Sequence, residues 1–88
     1  MDYLLFTYPN CQKCADLKLY LRAAGIPACE YKVEEKPGRL KIREFLGCIK
    51  RDPKGAIILP ALVCREDEAV AAVVNSAQEF EEWLKSRG

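Results

Sequence analysis

Histidine is absent from this sequence of 88 residues, and so is any long hydrophobic run. A zinc site needs about four ligands, and the chain has neither a histidine nor a second CxxC pair that would complete one around the single CxxC. The first apolar run is short and begins beside Asp2, so it fits neither a signal peptide nor a membrane span. These absences predict a cytoplasmic protein with no metal site of its own.

An excess of either charge is also missing. Lysine and arginine total 14, aspartate and glutamate total 13, and the net charge is +1. A chain this close to neutral has no overall electric field that would attract nucleic acid or anionic lipid. We therefore expect no nucleic-acid or membrane partner, and we expect any partner to be recognised locally.

The overall composition is that of a globular protein with a packed core. Hydrophobic residues make up 50% of the chain and charged residues 31%. A chain of 88 residues has the size of one small domain, and no linker, repeat or low-complexity segment divides it. We expect a single domain over residues 1–88.

The five cysteines do not form the even, regularly spaced set of a disulfide framework, so free thiols are expected in a reducing cytoplasm. Three of them stand alone in apolar segments and are predicted to fill the core or one face of an element: Cys29, Cys48 and Cys64. Cys48 lies beside Lys50 and Arg51, and it is the one of the three most open to oxidation or glutathione attachment.

The first half of the chain alternates strand and helix patterns. Residues 3–7 form a short apolar run typical of a buried strand, and residues 14–24 repeat apolar side chains at helical spacing. Gly25 and Pro27 end that helix. Residues 28–33 alternate apolar and charged side chains, which predicts an edge strand with one face inward. A strand, a helix and a second strand in this order predict a parallel pair.

A second helix and a hairpin are predicted in the other half. Apolar residues at helical spacing over 42–49 indicate a helix that begins after Pro37-Gly38 and contains Gly47. Pro60 interrupts the next apolar run, so we expect a strand at 61–64. That strand pairs with 70–74 across a charged turn to form an antiparallel hairpin.

The chain ends in a last helix, for which Ser76 and Glu79 form a capping box. The element order is therefore β-α-β-α-β-β-α. Because the first two strands should be parallel and the last two antiparallel, the order predicts an α/β fold with a four-stranded mixed sheet flanked by three helices.

A cysteine pair lies where the first strand ends and the first helix begins, in the stretch CQKC at residues 11–14. Thiolates, not thiols, attack disulfides, and the free N–H groups of a helix start stabilise a thiolate. Cys11 is therefore the predicted nucleophile, with the charge of Lys13 lowering its pKa further. Cys14 lies one turn along the same helix face, where it can resolve a mixed disulfide. The alternative is that both cysteines are ordinary core residues.

The quoted segments resemble a glutaredoxin-like protein of the thioredoxin-fold superfamily over nearly the whole chain. The resemblance rests on FTYPNCQKC after the first strand, the helix to Gly25, LPALV before a hairpin, and the helix from Ser76. It implies a thiol-disulfide oxidoreductase that reduces protein or glutathione mixed disulfides. It also implies a cis peptide bond before Pro60, with the Leu59 backbone pairing with an extended substrate.

The chain departs from glutaredoxins where those proteins bind glutathione. Thr7-Tyr8 occupies the place of the family's lysine, and VVNSAQEF replaces its glycine pair and acidic residues. The electron donor stays open between glutathione and a thioredoxin-reductase-like protein. Asn75 and Ser76, at the start of the last helix, are candidates to receive a carboxylate, with Lys50 or Arg51 as a second candidate; the alternative is a simple helix cap.

A binding function is the alternative to catalysis. Members of the resembled family can hold an iron-sulfur cluster between two protomers, through the first cysteine and external thiols. A thioredoxin-fold module could also bind a partner protein without turnover. No resident cofactor is otherwise expected.

Overall fold

The computed structural model describes residues 1–87 and contains four strands, three α-helices and one short 3₁₀-helix within them. The strands are β1 (Asp2–Thr7), β2 (Cys29–Lys32), β3 (Ala61–Glu66) and β4 (Ala69–Val74). The α-helices are α1 (Gln12–Ala23), α2 (Lys36–Ile42) and α3 (Ala77–Arg87), and the 3₁₀-helix (Arg43–Phe45) follows α2. None of these helices is long and apolar enough to cross a membrane.

The strands form one sheet in the order β2-β1-β3-β4. β1 runs parallel to β2 and antiparallel to β3, and β3 and β4 form the predicted hairpin. The mixed four-stranded sheet predicted from the element order is therefore confirmed, and so is the edge position of β2. Thr7 pairs with Lys32, and Phe6 pairs with Ala61. This register places the end of β1, the end of β2 and the start of β3 at one end of the sheet.

The sheet is covered on both faces, because successive side chains of a strand point to opposite faces. On one face Leu4 and Phe6 of β1 pack with Ile42 and Phe45 from the α2 side. On the other face Leu5 packs against residues of α1, β3, β4 and α3: Leu17, Leu21, Leu62, Val74 and Phe80. β1 is thus buried on both faces, as predicted, and its position fixes where the following loop emerges.

The second helix differs from its prediction at both ends. It begins at Lys36, before Pro37 and Gly38, because proline is well tolerated in the first turn of a helix. After Phe45 the chain turns, and the N–H groups of Cys48 and Ile49 both donate to the Phe45 carbonyl, at 2.8 and 3.0 Å. Gly47 therefore lies in a turn outside the helix in which it was predicted.

Gly38 is buried because α2 packs directly on the end of β2. A Cβ atom built at this position would overlap the carbonyl group of Lys32. A side chain there would push the helix away from the edge strand. Glycine at this position is thus a packing requirement, although in the sequence it is typical of a helix boundary.

The single cysteines do not all lie in the predicted environment. Cys64 is fully buried in the core, as predicted. Cys29 and Cys48 are exposed, so the prediction that they fill the core or one face is wrong. Cys29 begins the edge strand, and α2 packs against the other end of that strand, near Lys32. Cys48 lies in the turn after the 3₁₀-helix, where no helix face is formed.

Candidate active site

The cysteine pair lies where β1 leaves the sheet and α1 begins. Asn10 has a left-handed backbone conformation, with φ 58°, which turns the chain from the strand into the helix. Cys11 is the N-cap residue of α1, and its Sγ accepts a hydrogen bond from the N–H of Cys14 at 3.1 Å. A helix N-terminus has unpaired N–H groups, so the sulfur lies where negative charge is stabilised.

The pKa values of the two thiols are shifted in opposite directions. Partial burial would raise the pKa of Cys11, but hydrogen bonds outweigh it and the pKa is lowered from its ordinary value. These bonds come from the Cys14 side chain and N–H, the Tyr8 hydroxyl and the Lys13 N–H. Burial, together with the hydrogen bond to Cys11, raises the pKa of Cys14 to about 12. Cys11 therefore ionises first, and it is also the more accessible of the two.

Lys13 contributes to this arrangement through its backbone. Its N–H lowers the pKa of Cys11, while its side chain is exposed on the surface of α1. The role of the Lys13 ammonium, in lowering the pKa or in binding substrate, stays a prediction.

A cleft of about 250 Å³ holds both thiols, and Tyr8, Lys18 and Glu30 contribute to its walls. The Glu30 carboxylate accepts hydrogen bonds from the buried Thr7 hydroxyl at 2.8 Å and from the Lys18 ammonium at 3.3 Å. Burial would raise the pKa of Glu30, but these two contacts outweigh it and lower the pKa. A fixed pair of opposite charges thus lies in the cleft, and the Lys18 charge favours the ionised form of Cys14.

Tyr8, Lys18 and Glu30 were not recognised as site residues from the sequence. Lys18 follows Cys14 by four positions, so the helical spacing could have placed it on the same face. Tyr8 precedes Cys11 by three positions in a loop, where no periodicity predicts contact. Glu30 reaches the cleft only because β2 pairs with β1.

The peptide bond between Leu59 and Pro60 is cis, as the resemblance implies. Pro60 immediately precedes Ala61, the partner of Phe6, so it lies at the same end of the sheet as the cysteine pair. Its side chain is fully buried, whereas Leu59 is only partly buried. Leu59 lines an apolar groove separate from the thiol cleft. Substrate binding by Leu59 and Pro60 stays a prediction.

Asn75 and Ser76 make structural contacts in the described chain. The Asn75 side chain is buried and donates to the carbonyl groups of Ile58 at 3.2 Å and Pro60 at 3.0 Å. The Ser76 hydroxyl accepts from the Glu79 N–H at 3.1 Å, which is one half of the predicted capping box, whereas the Glu79 carboxylate contacts Lys50. A role of either residue in carboxylate binding stays a prediction.

The charges near this cap are already paired. Lys50, the second candidate for a carboxylate, forms an ion pair with Glu79 at 3.1 Å. Arg51 donates to the Gly55 carbonyl at 2.9 Å. Across residues 1–87, no group of three or more cysteine or carboxylate side chains is arranged to hold a metal ion.

Replacing Tyr8 with phenylalanine is expected to raise the pKa of Cys11, because the hydroxyl that favours the thiolate is lost. Iodoacetamide alkylates the thiolate, so at pH 7 the rate at Cys11 should fall about tenfold, as for one hydrogen bond to a charged group. The rate profile should also move to higher pH. Tyr20→Phe is the control, because Tyr20 packs against Phe80 in the core. Unchanged rates in Tyr8→Phe would show that the hydroxyl does not stabilise the thiolate.

Comparisons with known proteins agree with this architecture. No protein-family model matches the chain, and no curated protein sequence matches it. Among solved structures, it is similar to thioredoxin 1 from the thermophilic eubacterium Thermosipho africanus TCF52B, with a TM-score of 0.57 and 12% sequence identity. The similarity covers 99% of this chain and 98% of that one. The mixed sheet, its three helices and this match together show that the chain has a thioredoxin-like fold.

Proposed function

We propose that this protein is a glutaredoxin-like thiol-disulfide oxidoreductase that reduces protein or glutathione mixed disulfides. One observation carries the proposal. The accessible Cys11 sulfur caps α1 and has a lowered pKa, while the neighbouring Cys14 is buried with a raised pKa. This asymmetry is what a nucleophile and a resolving thiol require.

In the first step the Cys11 thiolate attacks one sulfur of the substrate disulfide. A bond forms between Cys11 and that sulfur, the substrate S–S bond breaks, and the other sulfur leaves as a thiolate that takes a proton from water. The substrate is now held as a mixed disulfide. The hydrogen bonds around Cys11 favour its charged form before the attack.

In the second step Cys14 loses its proton to water and attacks the Cys11 sulfur. The internal disulfide forms as the second substrate sulfur leaves and is protonated. In the mixed disulfide Cys11 carries no negative charge that would raise the pKa of Cys14. The Lys18 charge still lowers the pKa of Cys14. The substrate gains two electrons and two protons, and an external thiol donor, glutathione or a reductase dithiol, returns them to the protein.

The proposal is tested by oxidising the reduced protein with bis(2-hydroxyethyl) disulfide and measuring its mass. We expect a loss of two hydrogen atoms, with peptide mapping that places the disulfide between Cys11 and Cys14. Equilibration with glutathione buffers, and separately with thioredoxin reductase and NADPH, then identifies the donor. A protein that forms no internal disulfide would contradict the proposed reaction and favour a binding function.

A further inference from the structure

An apolar groove of about 310 Å³ lies beside Leu59, on the α2 side of the sheet. Its apolar wall comes from five residues of different segments: Val33, Ile42, Leu46, Ile57 and Leu59. Arg39 of α2 and Arg43 of the 3₁₀-helix complete the lining. The groove therefore combines an apolar wall with two positive charges.

The two arginines have no acidic partner within residues 1–87. The ion pairs found there involve other cations, and Glu44, the nearest acidic residue in sequence to Arg43, pairs with Lys41 at 3.2 Å. Arg39 donates to the backbone carbonyl of Glu34 at 2.7 Å. Guanidinium groups are suited to bind carboxylates, so two of them beside an apolar wall favour an acidic ligand.

The groove and the thiol cleft are neighbours, because consecutive residues of the chain line them. Val33 lines the groove, and Glu34, the next residue, lines the thiol cleft. Within residues 1–87 the backbone N–H and C=O of Leu59 form no hydrogen bond, so an extended segment in the groove can pair with them. A segment paired with Leu59 would lie at the same end of the sheet as the loop that carries Cys11.

We propose that this groove docks the segment of a protein substrate that flanks its disulfide, and that the segment carries an apolar side chain beside acidic residues. The inference rests on the proposed function and specifies its substrate. The apolar side chain packs against the groove wall, and the carboxylates pair with Arg39 and Arg43. Glutathione has carboxylates but no apolar side chain, so the apolar wall favours a protein segment.

Three short peptides test the inference, each with one cysteine bonded to 2-mercaptoethanol as a mixed disulfide. The first has a leucine and two glutamates beside the cysteine, the second has lysines in place of the glutamates, and the third has serine in place of the leucine. Reaction with stoichiometric reduced protein is followed by chromatography. We expect the first peptide to react about tenfold faster than either of the others, and we expect its advantage over the lysine peptide to become smaller at high salt.

Arg43→Glu should remove the preference between the glutamate and lysine peptides, because it leaves the groove with one positive and one negative charge. Arg22→Glu is the matched control, because it makes the same change of charge on the exposed surface of α1, away from the groove. Neither variant should change the rate with bis(2-hydroxyethyl) disulfide, which is neutral. Equal rates for all three peptides, with normal reduction of that small disulfide, would overturn the docking inference and leave the proposed function intact.

Failure of the wild-type protein to react with the small disulfide would overturn the proposed function instead. In that case reaction rates no longer report docking, so binding is measured by fluorescence anisotropy with labelled peptides in which serine replaces the cysteine. Tighter binding of the leucine-glutamate peptide, reduced about tenfold in Arg43→Glu and unchanged in Arg22→Glu, would support the acidic and apolar specificity of the groove. Equal binding of all the peptides would overturn it.

Discussion

Replacing Cys11 with serine is expected to abolish disulfide reduction, with a loss of roughly a thousandfold or more in the rate of the first step. A serine hydroxyl is not ionised near neutral pH and does not attack a disulfide. The hydrogen bond from the Cys14 N–H to the residue at position 11 can persist with an oxygen acceptor, so α1 should keep its cap. The loss is measured as thiol release from bis(2-hydroxyethyl) disulfide, with circular dichroism to verify folding.

The companion change, Cys14→Ser, should stop the reaction after the first step. Cys11 would still attack, and the mixed disulfide would accumulate with the mass of the protein plus the bound thiol. Cys48→Ser is the control, because that thiol is exposed and lies outside the cleft. Undiminished release of both substrate thiols by Cys14→Ser would contradict its resolving role, and full activity of Cys11→Ser would reject the assignment of the pair.

Replacing Gly38 with alanine is expected to lower the free energy of unfolding by about 1–3 kcal/mol, as for other overpacked positions. Helix propensity alone would predict the opposite effect, an increase of about 1 kcal/mol in the free energy of unfolding. The new methyl group would overlap the Lys32 carbonyl, and Lys32 is held by its pairing with Thr7. Relief would therefore require α2 to move away from the sheet edge. Urea denaturation at constant pH measures the change.

Gly47→Ala is the matched control for this prediction. No atom lies within 4 Å of a Cβ built at Gly47, and the residue has no left-handed conformation to strain a side chain. The substitution should change the free energy of unfolding by less than about 1 kcal/mol. Similar stabilities for the two alanine variants would show that the close approach of Gly38 to Lys32 does not determine the packing of α2.

The predictable parts of the fold are those fixed by local sequence patterns. The apolar run before Pro9 forms β1, and its burial on both faces positions the loop that holds the cysteines. The hairpin and the proline before it are also predictable from the local sequence. The start of α2 was not predictable in this way, because Pro37-Gly38 is typical of a break. Only the packing of Gly38 on Lys32 shows why a helix contains that pair.

The candidate site also has a part that is predictable from local sequence and a part that depends on tertiary packing. The order of the two thiols follows from their places on one helix start, and it is visible in the sequence. Two further contacts of the site come from outside the helix, because Tyr8 in the preceding loop contacts Cys11 and β2 brings Glu30 beside Lys18. Such contacts depend on strand register and loop path. No spacing in the sequence encodes them.

The exposure of Cys29 has a practical consequence for work with immobilised or labelled protein. Cys29 pairs with Leu4, near the opposite end of the sheet from the loop that carries Cys11. A linker or dye bonded to Cys29 would hold the molecule by its edge strand and leave the thiol cleft open. If Cys48 is changed to serine, Cys11 and Cys29 are the thiols left for a maleimide to reach, because Cys14 and Cys64 are buried. Reversible blocking of the active pair would then leave one attachment point in a known orientation.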